Sequence, residues 1–203
     1  ILEHYNLPEM GHNSPTYVAL LTEVMKYAYA DRSKYLGDPD FFDVPVNELI
    51  SKKYAKEVKS RIKLNQITPS DKILPGDAMS HESMDTTHFS VADQFGNVTS
   101  NTYTLNSGFG SGIVVDGTGV LMNNEMDDFV SAPGIPNQFG LIGGEANKIE
   151  PFKRPLSSMT PTIVFHENKP IIATGSPGGS RIITAVLQFL LNTLDFKMEI
   201  SDA

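Results

Sequence analysis

The 203-residue sequence contains no cysteine. Disulfides, thiolate nucleophiles and cysteine-ligated metals are therefore excluded, and the compartment is left open. No apolar run approaches the roughly 18 residues of a membrane span. Positive charge is in deficit: 16 Lys and Arg against 24 Asp and Glu give a formal net charge of −8. A chain this acidic is a poor general nucleic-acid binder. The five histidines show no HExxH spacing, so a zinc-protease site is not expected, and His88 reads as a surface or hydrogen-bonded side chain. What remains, 40% hydrophobic and 20% charged, is globular material long enough to bury a core. The sequence opens Ile1-Leu2-Glu3-His4, without an initiator Met or a basic-then-apolar leader. Both ends read as cut, and an internal piece of a longer protein is expected.

Ser14-Pro15 opens a helix, with Ser as cap and Pro at the first helical position. Tyr17, Leu21, Val24 and Ala28 form its apolar stripe, widened by Val18, Leu20 and Met25. Gly37-Asp38-Pro39-Asp40 stops it. A second helix is predicted from about Val46 to Ile62, its sparse apolar positions Leu49, Tyr54, Val58 and Ile62 suggesting a surface location. Periodicity fails from Lys63 to Asp85, where Pro69, Asp71, Pro75 and Gly76 are loop formers, and this is the best internal boundary.

Strand patterning follows. Thr87 to Ala92 and Val98 to Leu105 flank the turn Gln94-Phe95-Gly96-Asn97 and read as a hairpin. Two short strands are expected at Ile113–Val115 and Val120–Met122. Residues 123 to 158 are irregular, with four prolines. A second hairpin is expected at Pro161–Phe165 and Pro170–Thr174, turning at Glu167-Asn168, before an apolar helix from about Arg181 to Leu194. Mixed helix and sheet, with helices packed on sheet, is the fold class this order implies.

Two glycine clusters invite chemistry. Gly108-Phe109-Gly110-Ser111-Gly112 has the density of a phosphate loop but neither the GK[ST] ending nor the dinucleotide spacing, so a plain turn is favoured. Ser176-Pro177-Gly178-Gly179-Ser180 lies between a strand and a helix, where free N–H groups can form an oxyanion hole. A tight turn is the alternative. Asp85-Thr86-Thr87-His88 sits where loop becomes strand; taken alone, Thr-Thr there is ordinary β-propensity. A Thr at a newly cut N-terminus has its own base, the α-amine.

Together these stretches resemble the gamma-glutamyltranspeptidase family of N-terminal-nucleophile hydrolases. The resemblance rests on Thr86-Thr87-His88-Phe89-Ser90-Val91, on Thr102-Tyr103-Thr104-Leu105-Asn106 and on Leu121-Met122-Asn123-Asn124-Glu125-Met126-Asp127-Asp128-Phe129. It rests equally on Lys153-Arg154-Pro155-Leu156-Ser157-Ser158-Met159-Thr160-Pro161-Thr162 and on Thr174-Gly175-Ser176-Pro177-Gly178-Gly179-Ser180-Arg181-Ile182-Ile183. Upstream, Gly11-His12-Asn13-Ser14, Ala30-Asp31-Arg32 and Gly37-Asp38-Pro39 are similar to the end of the family's large subunit.

The resemblance implies an α+β chain, part of an αββα four-layer sandwich incomplete at both ends. It implies autocleavage between Asp85 and Thr86, with residues 1–85 from the large subunit and 86–203 from the small one. Thr86 would be the nucleophile and Thr104 its orienting partner. Gly178 and Gly179 would hold the oxyanion. Asn106, Glu125 and Asp128 would bind the substrate ammonium, and Ser157 and Ser158 its α-carboxylate. None of Arg32, Arg61, Arg154 and Arg181 matches the arginine that the family supplies from further upstream.

The implied reaction is γ-glutamyl transfer from glutathione or a related γ-glutamyl compound, through an ester on Thr86, to water or to an amino-acid or peptide amine. No metal and no organic cofactor is implied. The remaining parts of both subunits are implied partners, and nucleic acid is not. A periplasmic, secreted or membrane-tethered extracellular location is implied in the same way. Three other readings stay open: an uncleaved scaffold of the same fold, an acylase acting on β-lactam precursors, and a plain α/β binding domain. Asn97-Val98-Thr99 also fits a glycosylation sequon.

Overall fold

The structure, a computed structural model, describes residues 1–73, 86–132 and 134–203. Short helix α1 (Leu7–Met10) leads into α2 (Pro15–Tyr35). Ser14 caps α2 as expected, its Oγ accepting from Tyr17 N at 3.2 Å, and Pro15 occupies N1. Tyr17, Leu20, Leu21 and Val24 form the buried stripe and pack with Leu7, Val58, Ile62 and Leu191. Val18, expected in that stripe, is 48% exposed, because its position turns it off the packed face.

The second helix differs from expectation in two ways. It is broken into α3 (Val46–Leu49) and α4 (Lys52–Arg61), because Ser51 adopts extended backbone and caps α4 through Tyr54 N at 3.1 Å. It also does not lie wholly on the surface. Ala55, Val58 and Ile62 are buried, Val58 and Ile62 in the cluster with α2, and the lysine face meets solvent. Tyr54 Oη donates to both oxygens of Asp31, at 2.9 and 3.0 Å, tying α4 to α2. Burial, and then Asp31, push the Tyr54 hydroxyl up to about 12.

Both expected hairpins are present. Strands β1 (Thr87–Ala92) and β2 (Val98–Tyr103) pair antiparallel, from Thr87 opposite Tyr103 to Ala92 opposite Val98. Strands β3 (Thr162–His166) and β4 (Lys169–Thr174) pair likewise, with an irregularity between Val164 and Phe165. Glu167 and Asn168 both have positive φ, as the two-residue turn between β3 and β4 requires. The hairpins lie against each other, β2 beside β3 and β4, and Ser100 Oγ donates to Thr174 O at 2.9 Å. The two short strands shrink to a single bridge, Val114 opposite Leu121. Helix α5 (Ile182–Leu194) is the last helix of the described residues and sends Leu191 into the α2 core.

The architecture is α+β, as expected. Among the described residues, no helix is long and apolar enough to cross a membrane. The boundary placed at Asp85 lies outside the described residues.

Candidate active site

Thr86 immediately precedes β1 and Thr104 immediately follows β2. The ladder ends at Thr87–Tyr103, so its next step would set Thr86 opposite Thr104. Thr104 is therefore just past the partner strand rather than within it. Both threonines line a tight cleft whose cavity volume is about 20 Å³, room for about one water. Asn106 and Asp128 line the same cleft, with Ser157, Ser158 and Gly179. Phe139, Met159 and Ile182 supply its apolar surface. Residues from separate stretches of chain thus converge on one small space. Of the other expected residues, Gly178 adjoins the cleft through Gly179 and Glu125 joins it through Asp128, while Asp85 lies outside the described residues.

Thr104 Oγ1 accepts from Asn106 N at 2.9 Å. Asn106 itself is buried and sits at φ 78, a left-handed conformation that asparagine tolerates better than most side chains. Its amide nitrogen donates to Asn124 O at 3.2 Å, which leaves Oδ1 as the acceptor.

The Glu125–Asp128 turn carries the strongest perturbation. Burial, and then the neighbouring Glu125 carboxylate, push Asp128 up to about 7, with Arg32 opposing. Glu125 is also raised, by burial. The Asp128 and Glu125 carboxyls lie close enough to act on each other, which disfavours ionising both together. Asn137 Nδ2 reaches Asp128 Oδ1 at 3.4 Å.

Gly178 and Gly179 have φ of 127 and 54, backbone that a side chain would strain. A Cβ on Gly179 would stand 3.0 Å from the Phe139 ring. The two glycines precede α5, and among the described residues no backbone carbonyl takes their N–H groups. The other glycine cluster behaves differently. In it Gly110 N, Ser111 N and Gly112 N are spent on nearby carbonyls, as in an ordinary turn. His88 is held by Thr102 Oγ1 at 2.8 Å and Ser90 Oγ at 3.1 Å, which fits the hydrogen-bonded reading. Among the described residues no group of acidic or histidine side chains could hold a metal ion.

Sequence reasoning missed the side chains that hold the cleft together. Asn147 is buried, donates to Asp128 O at 2.7 Å and accepts from Leu156 N at 3.0 Å, so one amide ties the acidic turn to the serine loop. Arg154 donates to Asp38 Oδ2 from both N and Nε at 2.9 Å, anchoring that loop to the end of α2 and holding the Asp38 carboxyl far below its usual range. Tyr29 and Arg32 reach the site from α2. The stretches around Asp38, Arg32 and Arg154 stand in the family-like strings, but nothing local reveals partners more than a hundred residues away.

The whole chain, residues 1–203, matches the gamma-glutamyltranspeptidase family. It is 51% identical over all its length to the glutathione hydrolase proenzyme of Escherichia coli K12, of which it covers 35%. It is 39% identical to the Acylase ACY 1 proenzyme of Pseudomonas sp. strain SE83, covering 34% of it. The chain spans about a third of the length of the curated relatives it matches. The crystal structure of the T380A mutant of Helicobacter pylori gamma-glutamyltranspeptidase superposes with a TM-score of 0.55 at 60% identity. That match covers 56% of this chain and 61% of the other.

Proposed function

The chain belongs to the gamma-glutamyltranspeptidase family, and from that premise we propose that its parent protein matures by self-cleavage and transfers γ-glutamyl groups. The observation that carries the reading is the convergence of Thr86, Thr104, Asn106, Asp128, Ser157, Ser158 and Gly179 on one cleft.

In maturation, the Thr86 hydroxyl attacks the Asp85 carbonyl. The peptide nitrogen leaves that carbon, an ester forms, and water hydrolyses it to an Asp85 carboxylate and a free Thr86 α-amine. In turnover, that amine takes the hydroxyl proton while Oγ1 attacks the γ-amide carbon of glutathione or a similar donor. Thr104 orients the hydroxyl, and Gly178 and Gly179 N–H groups meet the oxyanion. The departing amine takes the proton and leaves a γ-glutamyl ester on Thr86. Water or an amino-acid or peptide amine then attacks the ester and regenerates the threonine. Asn106, Glu125 and Asp128 receive the donor's ammonium, and Ser157 and Ser158 its α-carboxylate. Holding both charged groups fixes the γ-carbon over the nucleophile.

The test uses the full-length parent and its Thr86→Ala variant. The parent is expected to give a new N-terminus reading Thr-Thr-His and to release aniline from a γ-glutamyl anilide; the variant does neither. An intact, inactive parent would turn the reading to the scaffold alternative. The acylase relative keeps one other activity in view. Faster turnover of an aliphatic acyl anilide than of the γ-glutamyl one would move the assignment there.

A further inference from the structure

Helix α2 reaches the site with two residues one turn apart, Tyr29 and Arg32. Tyr29 Oη donates to Ser180 O at 2.9 Å, just after the glycine pair. Arg32 Nη2 donates to Ser158 Oγ at 3.0 Å and lies 3.4 Å from Ser157 O. Arg32 also borders the cavity behind Asp128 that Asn137 and Asn147 share, and its charge acts on Asp128. It is not among the residues lining the cleft itself.

The chemistry of this contact is one-sided. A guanidinium has five N–H donors and no acceptor. Ser158 Oγ must therefore accept from Arg32, and its single proton is left to point elsewhere. Ser158 is buried and lines the cleft, so a proton turned away from Arg32 has the cleft as its outlet. A hydroxyl polarised by a cation is a stronger donor to an anion. One nitrogen, Nη2, serves both Ser158 Oγ and Ser157 O, so a single cationic group holds the two residues together.

We infer that Arg32 is a positioning residue for α-carboxylate recognition: it fixes Ser158 as a hydroxyl donor into the cleft and holds the Ser157–Ser158 backbone at the spacing the carboxylate needs. This rests on the function proposed above. It links a helix on the upstream side of the cleavage point to specificity built on the downstream side.

The experiment pairs two substrates on the full-length parent. One is a γ-glutamyl anilide. The other is a 4-aminobutyryl anilide, which keeps the ammonium and scissile amide but lacks the carboxylate. Arg32→Gln is expected to lower kcat/KM for the γ-glutamyl anilide by about 10- to 100-fold, chiefly through KM, as for a lost hydrogen bond serving a charged group. Turnover of the 4-aminobutyryl anilide should stay within about threefold. Arg32→Lys should recover part of the loss. In a Ser158→Ala background, Arg32→Gln should add little, because the two act as one unit. An equal loss on both substrates, additive effects with Ser158→Ala, or failure of both Arg32 variants to mature would overturn the inference and leave Arg32 a scaffold residue. A wild-type parent that leaves the γ-glutamyl anilide untouched would instead sink the proposed function before any Arg32 variant is made.

Discussion

Asp128 is where one residue's surroundings set a measurable pH dependence. Burial and the Glu125 carboxylate push its carboxyl up to about 7. On the function proposed above, a donor ammonium favours the ionised form, so binding competes with protonation. Donor KM should therefore fall about tenfold from pH 6 to pH 8, following the ionised fraction of a group with that pKa. Stability runs the other way. The folded protein holds a proton that the unfolded chain has already released above about pH 4, so the protein loses stability as pH rises from about 4 to about 7. Asp128→Asn should flatten that slope in denaturation midpoints taken across the range. An unchanged slope would mean that Asp128 ionises at its ordinary value.

At the scale of elements, the long stretch between the hairpins is held by polar staples. Among the described residues its backbone pairs only at isolated bridges, so buried side-chain amides satisfy much of the rest. Asn147 pairs with Asp128 O and Leu156 N at once. Asn147→Leu keeps the volume but strands both groups. It should cost ~1–3 kcal/mol per buried group left unpaired. It should also raise donor KM, since the acidic turn and the serine loop lose their common tie. Chemical denaturation and donor kinetics on the full-length parent check both effects; a stable variant with normal KM would show the loop held by something else. Helix α2 serves a similar purpose from the opposite side. Its apolar face anchors the α-helical core, while Tyr29 and Arg32 carry that rigidity to Ser180 and Ser158.

Across the whole molecule, the two hairpins remain two separate two-stranded sheets among the described residues. Phe89, Val91, Phe165 and Ile171 on them are exposed. Two-stranded sheets are marginal alone, and apolar faces with open edges invite association. The 203-residue chain made by itself is expected to bind a hydrophobic dye strongly and to self-associate, whereas the full-length parent does neither. Light scattering and dye fluorescence on the two proteins decide the matter. A monomeric chain that ignores the dye would show that these faces need no cover.

The sequence by itself determined what depends on neighbours along the chain. The Ser14-Pro15 start of α2, the turn at Glu167-Asn168 and the glycine pair before α5 follow from local backbone preference, and all appear as read. The motif strings also named the side chains that meet in the cleft, because each string carries its own chemistry. Only the tertiary structure decided the rest. The break at Ser51, the outward turn of Val18 and the buried face of α4 depend on what packs against what. The ties from Arg32 to Ser158, Arg154 to Asp38 and Asn147 to Asp128 and Leu156 join residues distant or unordered in sequence. No spacing rule encodes such pairs, since a hydrogen bond is set by position in space, and that position exists only once helix, hairpins and loop have packed.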